Sequence, residues 1–144
     1  MSGYKKILLA VDLSSDSRVI GERAREIARC HQSDILLLHV VEYVPVEPMG
    51  EALLPTVQIE TELVDRARTK LAELARDLSL ADAPQFVETG SIKAEIVRAA
   101  QKHGADLIVL GSRERHGLAI LLNFTEDTVL HAAPCDVLAV RLQR

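Results

Sequence analysis

The sequence predicts a single doubly wound α/β domain, residues 1–144, with a five-stranded parallel sheet and helices on both faces. Two observations lead to this prediction. Short aliphatic runs alternate with longer stretches whose apolar residues recur at helical spacing, which is typical of parallel strands joined by crossover helices. The runs are continuously apolar rather than alternating, as expected for strands that are buried on both faces.

Five runs are predicted as strands. They cover residues 6–11, 34–41, 85–89, 106–110 and 136–142. The third, QFVET, is less apolar than the others. This favours a place at an edge of the sheet or under partial cover.

The stretches between the strands are predicted as helices and loops. Helices are expected over about residues 19–28, 56–78, 92–103 and 118–133. Residues 13–17 supply hydroxyls and a carboxylate suited to a helix N-cap, and Gly104 suits the position after a helix. Residues 42–55, with three prolines, and 111–117 are predicted loops. The second helix has one apolar stripe, made of Ile59, Leu63, Val64, Ala67, Leu71, Leu74, Ala75 and Leu78.

The composition excludes several classes of protein. Acidic residues outnumber basic ones by 21 to 17, and only two Tyr, two Phe and no Trp are available for base stacking, so nucleic acid is not an expected partner. No apolar run reaches the roughly 18 residues that a membrane span needs. No secretory leader is recognisable at the start, and Cys30 and Cys135 form no CxxC pair. We expect a cytoplasmic protein with reduced thiols.

The loops after the first, second and fourth strands are the expected ligand site, because doubly wound sheets bind ligands beyond the carboxyl ends of their strands. Asp12 follows the first strand. It either accepts hydrogen bonds from a ligand or caps the first helix and bonds the neighbouring loop. Residues 111–117, GSRERHG, either bind an anion through backbone N–H groups and arginines or form a solvated turn whose glycines allow positive φ.

Catalytic and metal-binding motifs are missing from the sequence. It contains no GxxxxGK[ST], GxGxxG or GxSxG, and its five histidines form no HxxxH pair. His39 lies in an aliphatic strand and is interpreted as a hydrogen-bonded core histidine. Cys30 and Cys135 are interpreted as small core residues rather than nucleophiles. We therefore expect neither catalysis nor a bound metal.

Four segments together resemble the universal stress protein family. They are KILLAVDLSSDS, LLLHVVE, ADLIVLGSRERHGL and APCDVLAVR, and the similarity runs over residues 4–141. The resemblance implies a five-stranded parallel α/β domain, in agreement with the independent prediction.

In the nucleotide-binding branch of that family, a glycine pattern follows the fourth strand: Gly-x-x-Gly, nine residues, then Gly-Ser or Gly-Thr. Gly111 and Thr125 match its first glycine and its hydroxyl, but Glu114 and Phe124 stand at the other two glycine positions. Gly117 is a partial substitute at a different spacing. The sequence therefore resembles the branch that does not hold ATP, and no cofactor is expected.

The resemblance implies a non-catalytic stress-response protein that forms a homodimer and acts through contacts with other proteins or through sensing. The alternatives are an ATP- or AMP-binding switch and a weak nucleotide hydrolase. The residues that would contact a nucleotide are Ala10, Val11, Asp12, Val40, Gly111, Ser112, Arg113, Gly117 and Thr125.

The last strand, residues 136–142, is expected to join the two copies. Its side chains alternate between the two faces of the sheet and are mainly apolar on both. If this strand formed an uncovered edge of the sheet, it would be prone to aggregation. Pairing with the same strand of a second copy would close it, and members of the family commonly pair in this way.

Overall fold

The computed structural model describes residues 3–42, 53–113, 129 and 131–142. Its elements in chain order are β1 (Lys6–Ala10), α1 (Ser17–His31), β2 (Asp34–Glu42), α2 (Leu53–Asp77), β3 (Gln85–Gly90), α3 (Ile92–His103), β4 (Leu107–Arg113) and β5 (Asp136–Leu142). The strands form one parallel sheet in the order β3-β2-β1-β4-β5. The predicted fold class is confirmed.

The position of β1 determines where a ligand site can form. Leu8 pairs with Leu36 of β2 on one side and with Ile108 of β4 on the other. The chain builds outward from β1 to β3 and then crosses back to β4. The order therefore reverses between β1 and β4, and this is the switch point of the sheet. The outer strands are β3 and β5, in agreement with the predicted edges.

Two apolar layers cover the sheet, one on each face. On one face α1 and α2 pack on the strands, and on the other α3 and Val129 do so. The first layer includes Ile7, Leu9, Ile20, Ala24, Leu37, Leu71, Ala75, Leu78 and Val109, and the second includes Leu8, Leu36, Leu38, Ile96, Ala100, Ile108 and Leu110. Alternate residues of each strand enter opposite layers, which explains why the strands are continuously apolar.

Helix α2 differs from its prediction at its start. It begins at Leu53 and includes Pro55, which was predicted in the loop. A proline is tolerated there because a first-turn N–H has no partner within the helix. The stripe is buried at Ala67 and Leu71, but Ile59 and Leu63 are 56% and 40% exposed. The helix is roughly 37 Å long, against about 20 Å for β3, so its first turns extend past that strand.

The described ends of α1, α2 and α3 share one geometry. A left-handed residue follows each helix: Gln32 (φ 56°) directly after α1, Ser79 (φ 58°) two residues after the last residue of α2, and Gly104 (φ 68°) directly after α3. In each case the next N–H donates to a carbonyl five residues back, at 2.9, 2.7 and 3.0 Å respectively. The role predicted for Gly104 is confirmed.

Strand β4 is longer than predicted. The predicted loop begins at Gly111, but Gly111, Ser112 and Arg113 continue the strand and pair with Val140, Arg141 and Leu142 of β5. The full length of β5 supplies partners for these residues, and this tertiary pairing outweighs the local turn signal of a glycine followed by polar residues.

Some predictions fall on residues outside the described ranges. Most of the loop over 42–55 and most of the helix over 118–133 lie there, although Val129, His131 and Ala132 are helical. None of the helices described is long and apolar enough to cross a membrane.

Candidate functional site

The carboxyl end of the sheet brings together candidate residues from β1, β2 and β4. The N–H of Val11 donates to the carbonyl of Leu38 at 3.0 Å, two residues before Val40. Leu9 pairs with Val109, two residues before Gly111. Val11, Val40 and Gly111 therefore reach the same edge of the sheet, at the switch point.

The candidate residues divide into an apolar floor and a polar rim. Ala10, Val11 and Val40 are buried, with 8%, 6% and 8% of their surface exposed, and they belong to the core. Asp12 is exposed and Ser112 is half-buried. Among the candidate side chains that the structure describes, Asp12 and Ser112 are the ones able to contact a polar ligand at this edge.

Asp12 organises the turn from β1 into α1. Its Oδ1 accepts the N–H of Ser14 at 2.9 Å and the hydroxyl of Ser17 at 3.2 Å. Ser17 is the first residue of α1 and is only 2% exposed, so this carboxylate satisfies a buried hydroxyl. Of the two interpretations of Asp12, the structure supports the one in which its carboxylate accepts hydrogen bonds from the turn that follows β1.

Leu13 holds a strained conformation in this turn. Its φ is 62°, in the left-handed region that a leucine rarely adopts. Asp12 on one side and Ser14 on the other are held by the hydrogen bond between them. Sequence reasoning missed this residue because leucine carries no turn signal.

His39 is hydrogen-bonded within the fold, as predicted. Its Nδ1 lies 2.8 Å from the carbonyl oxygen of Val11, at the end of β1. A carbonyl only accepts, so Nδ1 carries the proton in this bond. The ring therefore ties β2 to the first residue after β1.

Gly111 has a packing role that neither sequence interpretation included. A Cβ at this position would lie 2.5 Å from Cδ1 of Ile20 and 3.1 Å from Cδ1 of Leu142. Its φ is not in the left-handed region. Glycine here lets α1 approach β4 closely, so the predicted turn role is wrong for this residue.

A buried carboxylate lies at the carboxyl end of β3. Glu95 is 7% exposed, and its Oε2 lies 3.0 Å from Nη1 of Arg98. The same oxygen would lie 3.5 Å from a Cβ on Gly90, whose φ is 135°. Sequence reasoning missed Glu95 because an acidic residue in the first turn of a helix is ordinary on electrostatic grounds.

The two cysteines differ from one another. Cys30 is exposed, so its predicted core position is wrong; it lies on α1 away from the buried residues Ile20, Ala24 and Ala28. Cys135 is half-buried, and burial raises the pKa of its thiol. The thiol of Cys135 is therefore protonated at neutral pH and is a poor nucleophile.

Four residues of the glycine pattern lie outside the described ranges: Glu114, Gly117, Phe124 and Thr125. Arg113 is placed as the last residue of β4. Among the residues that the structure describes, no three His, Cys, Asp or Glu side chains come together as a metal site would require.

Comparison with known proteins agrees with this architecture. Universal stress protein A homolog 2 of Coxiella burnetii is 37% identical over 144 residues, covering 99% of each chain. Universal stress protein UspA from Lactobacillus plantarum superposes with a TM-score of 0.75 at 24% identity, over 98% of this chain and 100% of that one. A universal stress protein solved in complex with cAMP has a TM-score of 0.64 at 19% identity, over 96% and 98%.

The family model described as "Universal stress protein family" matches residues 3–141. This span includes β1 to β4 in full and all of β5 except its last residue, Leu142. On this match and the Coxiella relative together, the chain belongs to the universal stress protein family.

Proposed function

We propose that this protein is a non-catalytic component of a stress response and that it acts in the cytoplasm as a homodimer through protein contacts. The observation that carries the proposal is the position of β5 at the edge of the sheet. An edge strand presents unpaired N–H and C=O groups along one side, and these are a template for pairing with another chain.

The side chains of β5 suit such pairing. Val137 and Leu138 are half-buried, and Ala139 at the centre of the strand is small and exposed. Two copies related by a two-fold axis would pair β5 with β5 and make one continuous sheet. Such an isologous contact closes on itself and leaves no further open edge at this side.

Sedimentation velocity at micromolar concentration tests the proposal. A homodimer gives a species at twice the chain mass of 15.8 kDa. A single species near 15.8 kDa, unchanged as the concentration rises, would contradict the proposal.

The second candidate function is an adenine-nucleotide switch at the carboxyl end of the sheet. A relative of the same fold was solved with cAMP, which favours this candidate. Asp12 and Ser112 are the polar side chains that β1 and β4 bring to the switch point, where such folds bind ligands. Glu114 at a glycine position works against it, because its charge would oppose a phosphate.

Isothermal titration with ATP and AMP, each with and without magnesium, separates the two functions. We expect ATP to bind with a dissociation constant weaker than micromolar. Micromolar or tighter binding would favour the switch, and release of phosphate during incubation would point to the weak hydrolase instead.

A further inference from the structure

A second cleft lies at the opposite end of the sheet from the switch point. It has a volume of about 670 Å³, within the usual range for small-molecule sites. The last turns of α1 form one wall, and the loop from α2 to β3 forms the other. Lys6 and Asp34, the first residues of β1 and β2, lie between them.

Three cations line this cleft, and none of them has an ion-pair partner among the described residues. Arg25 and Arg29 are one turn apart on α1, so they face the same side of the helix. Arg18 and Arg23 of the same helix form ion pairs with neighbouring glutamates. Within the described part of the chain, no carboxylate pairs with Arg25, Arg29 or Lys6.

Two carboxylates and the hydroxyls of Ser33 and Ser79 complete the polar lining. Asp34 and Asp82 are exposed at the rim, and neither forms an ion pair among the described residues. Ser79 also lines the cleft. It has the left-handed conformation after α2 that Gly104 has after α3. A serine pays about 1 kcal/mol for that conformation, which a glycine would avoid.

The rest of the lining is apolar. Ala28, Ile35 and Leu36 form its buried base, and the more exposed Leu80, Ala83 and Pro84 form its side. Water is displaced from such a surface by an apolar group rather than by a charged one. The cleft therefore combines an apolar floor with a charged rim, the arrangement that binds an amphiphile.

The charged residues at the rim of the cleft indicate the charge of the ligand's polar group. Three cations and two carboxylates leave a net charge of +1. A ligand with one negative charge neutralises it, whereas the two carboxylates and the nearby carboxyl ends of α1 and α2 oppose a polyphosphate. The planar guanidinium groups of Arg25 and Arg29 match a carboxylate.

We propose that this cleft is a binding site for a small amphiphilic monoanion, with its carboxylate on Arg25 and Arg29 and its apolar body along the floor between α1 and the α2–β3 loop. Lys6 adds attraction at long range. Asp34 and Asp82 exclude ligands with several negative charges.

An NMR titration of the ¹⁵N-labelled protein with sodium octanoate tests the proposal directly. Saturable shifts are expected at the amides of residues 33–36 and 79–83. Octanamide, which has the same chain without the charge, is expected to bind at least about tenfold more weakly. ATP is expected to leave these amides unshifted. Absence of saturable shifts at these amides, or equal binding of octanoate and octanamide, would overturn the proposal.

Variants separate the site from general surface charge. Arg25→Gln with Arg29→Gln should weaken octanoate binding about tenfold, while the matched pair Arg18→Gln with Arg23→Gln on the same helix should leave it unchanged. Asp82→Asn should strengthen binding, since it removes a repelling charge. Equal losses in both arginine pairs, or weaker binding in Asp82→Asn, would contradict the assignment.

Discussion

The side chain of Ile20 occupies the space that a side chain on Gly111 would need. A Cβ on Gly111 would lie 2.5 Å from Cδ1 of Ile20, closer than such atoms approach one another. Ile20 belongs to α1 and Gly111 to β4, so the contact sets how closely the helix lies over the strand at the switch point. A glycine that resembles part of a phosphate-binding pattern therefore has a packing role in this protein.

Gly111→Ala should destabilise the protein by about 1–3 kcal/mol, because the added methyl overpacks the layer between α1 and β4. Ile20→Val removes Cδ1 and should cost about 0.5–1.5 kcal/mol alone. Combined, the two changes should cost less than their sum, since the overlap is relieved. Urea unfolding of the original protein, the two single variants and the double variant measures this difference in the free energy of unfolding.

Gly104→Ala is the control for that cycle. Nothing lies within 4 Å of a Cβ there, and the cost of about 1 kcal/mol comes from the left-handed backbone. In a double variant with Ile20→Val, this cost should add to that of Ile20→Val. If the costs of Gly111→Ala and Ile20→Val were also strictly additive, Ile20 would not occupy the space that a side chain at position 111 needs.

Asp106 should make the protein sensitive to acid. Burial alone would raise the pKa of this carboxyl, but the N–H groups of Lys5 and Lys6 donate to it at 2.9–3.1 Å and hold its pKa below the usual 3.8. The pKa of this carboxyl is therefore lower in the folded protein than in the unfolded protein. Its contribution to stability is complete at pH values above the pKa of the unfolded state, and it is lost as the pH falls through the pKa of the folded state.

Because solvent screens this partly exposed carboxylate, Asp106→Asn should lose only about 0.5–1 kcal/mol at neutral pH and show a shallower fall in stability below about pH 4. Urea unfolding at a series of pH values measures both effects. Asp77→Asn, at the exposed end of α2, is the matched control and should follow the original protein. Parallel curves for Asp106→Asn and the original protein would contradict this account.

Ala139→Glu should weaken the proposed homodimer. The exposed Ala139 lies at the centre of β5, and a two-fold pairing would bring two added carboxylates near each other at the interface. We expect the dimer dissociation constant to rise at least about tenfold. Ala94→Glu, the same change at an exposed position of α3, should have no effect. Sedimentation equilibrium compares them, and equal dissociation constants would place the interface elsewhere.

Glu114→Gly with Phe124→Gly should increase the affinity for ATP at least about tenfold if the glycine pattern limits nucleotide binding. The change removes a negative charge and a bulky ring from two glycine positions of the pattern. Glu73→Ala, which removes one charge from an exposed face of α2, is the control. Titration with ATP is the measurement, and no gain in the double variant would mean that another feature closes the site.

Part of the candidate site could be predicted from local patterns. The aliphatic runs identified the strands, and the strand-end rule placed Asp12 and Gly111 at one edge, where the structure has them. The hydrogen-bonded role of His39 followed from the apolar residues on either side of it, although this residue is half-buried rather than in the core. These predictions succeeded because each depends on the periodicity of one segment or on a general rule for parallel sheets.

The sequence by itself determined the fold class, the order of the elements and the helix end at Gly104. Only the tertiary structure decided that β4 continues through Gly111, because its partner β5 begins at Asp136, far along the chain. The same holds for the exposure of Cys30 and for the cleft between α1 and the α2–β3 loop. Periodicity reports which face of an element is apolar, whereas the space between two elements depends on side chains that are distant in sequence.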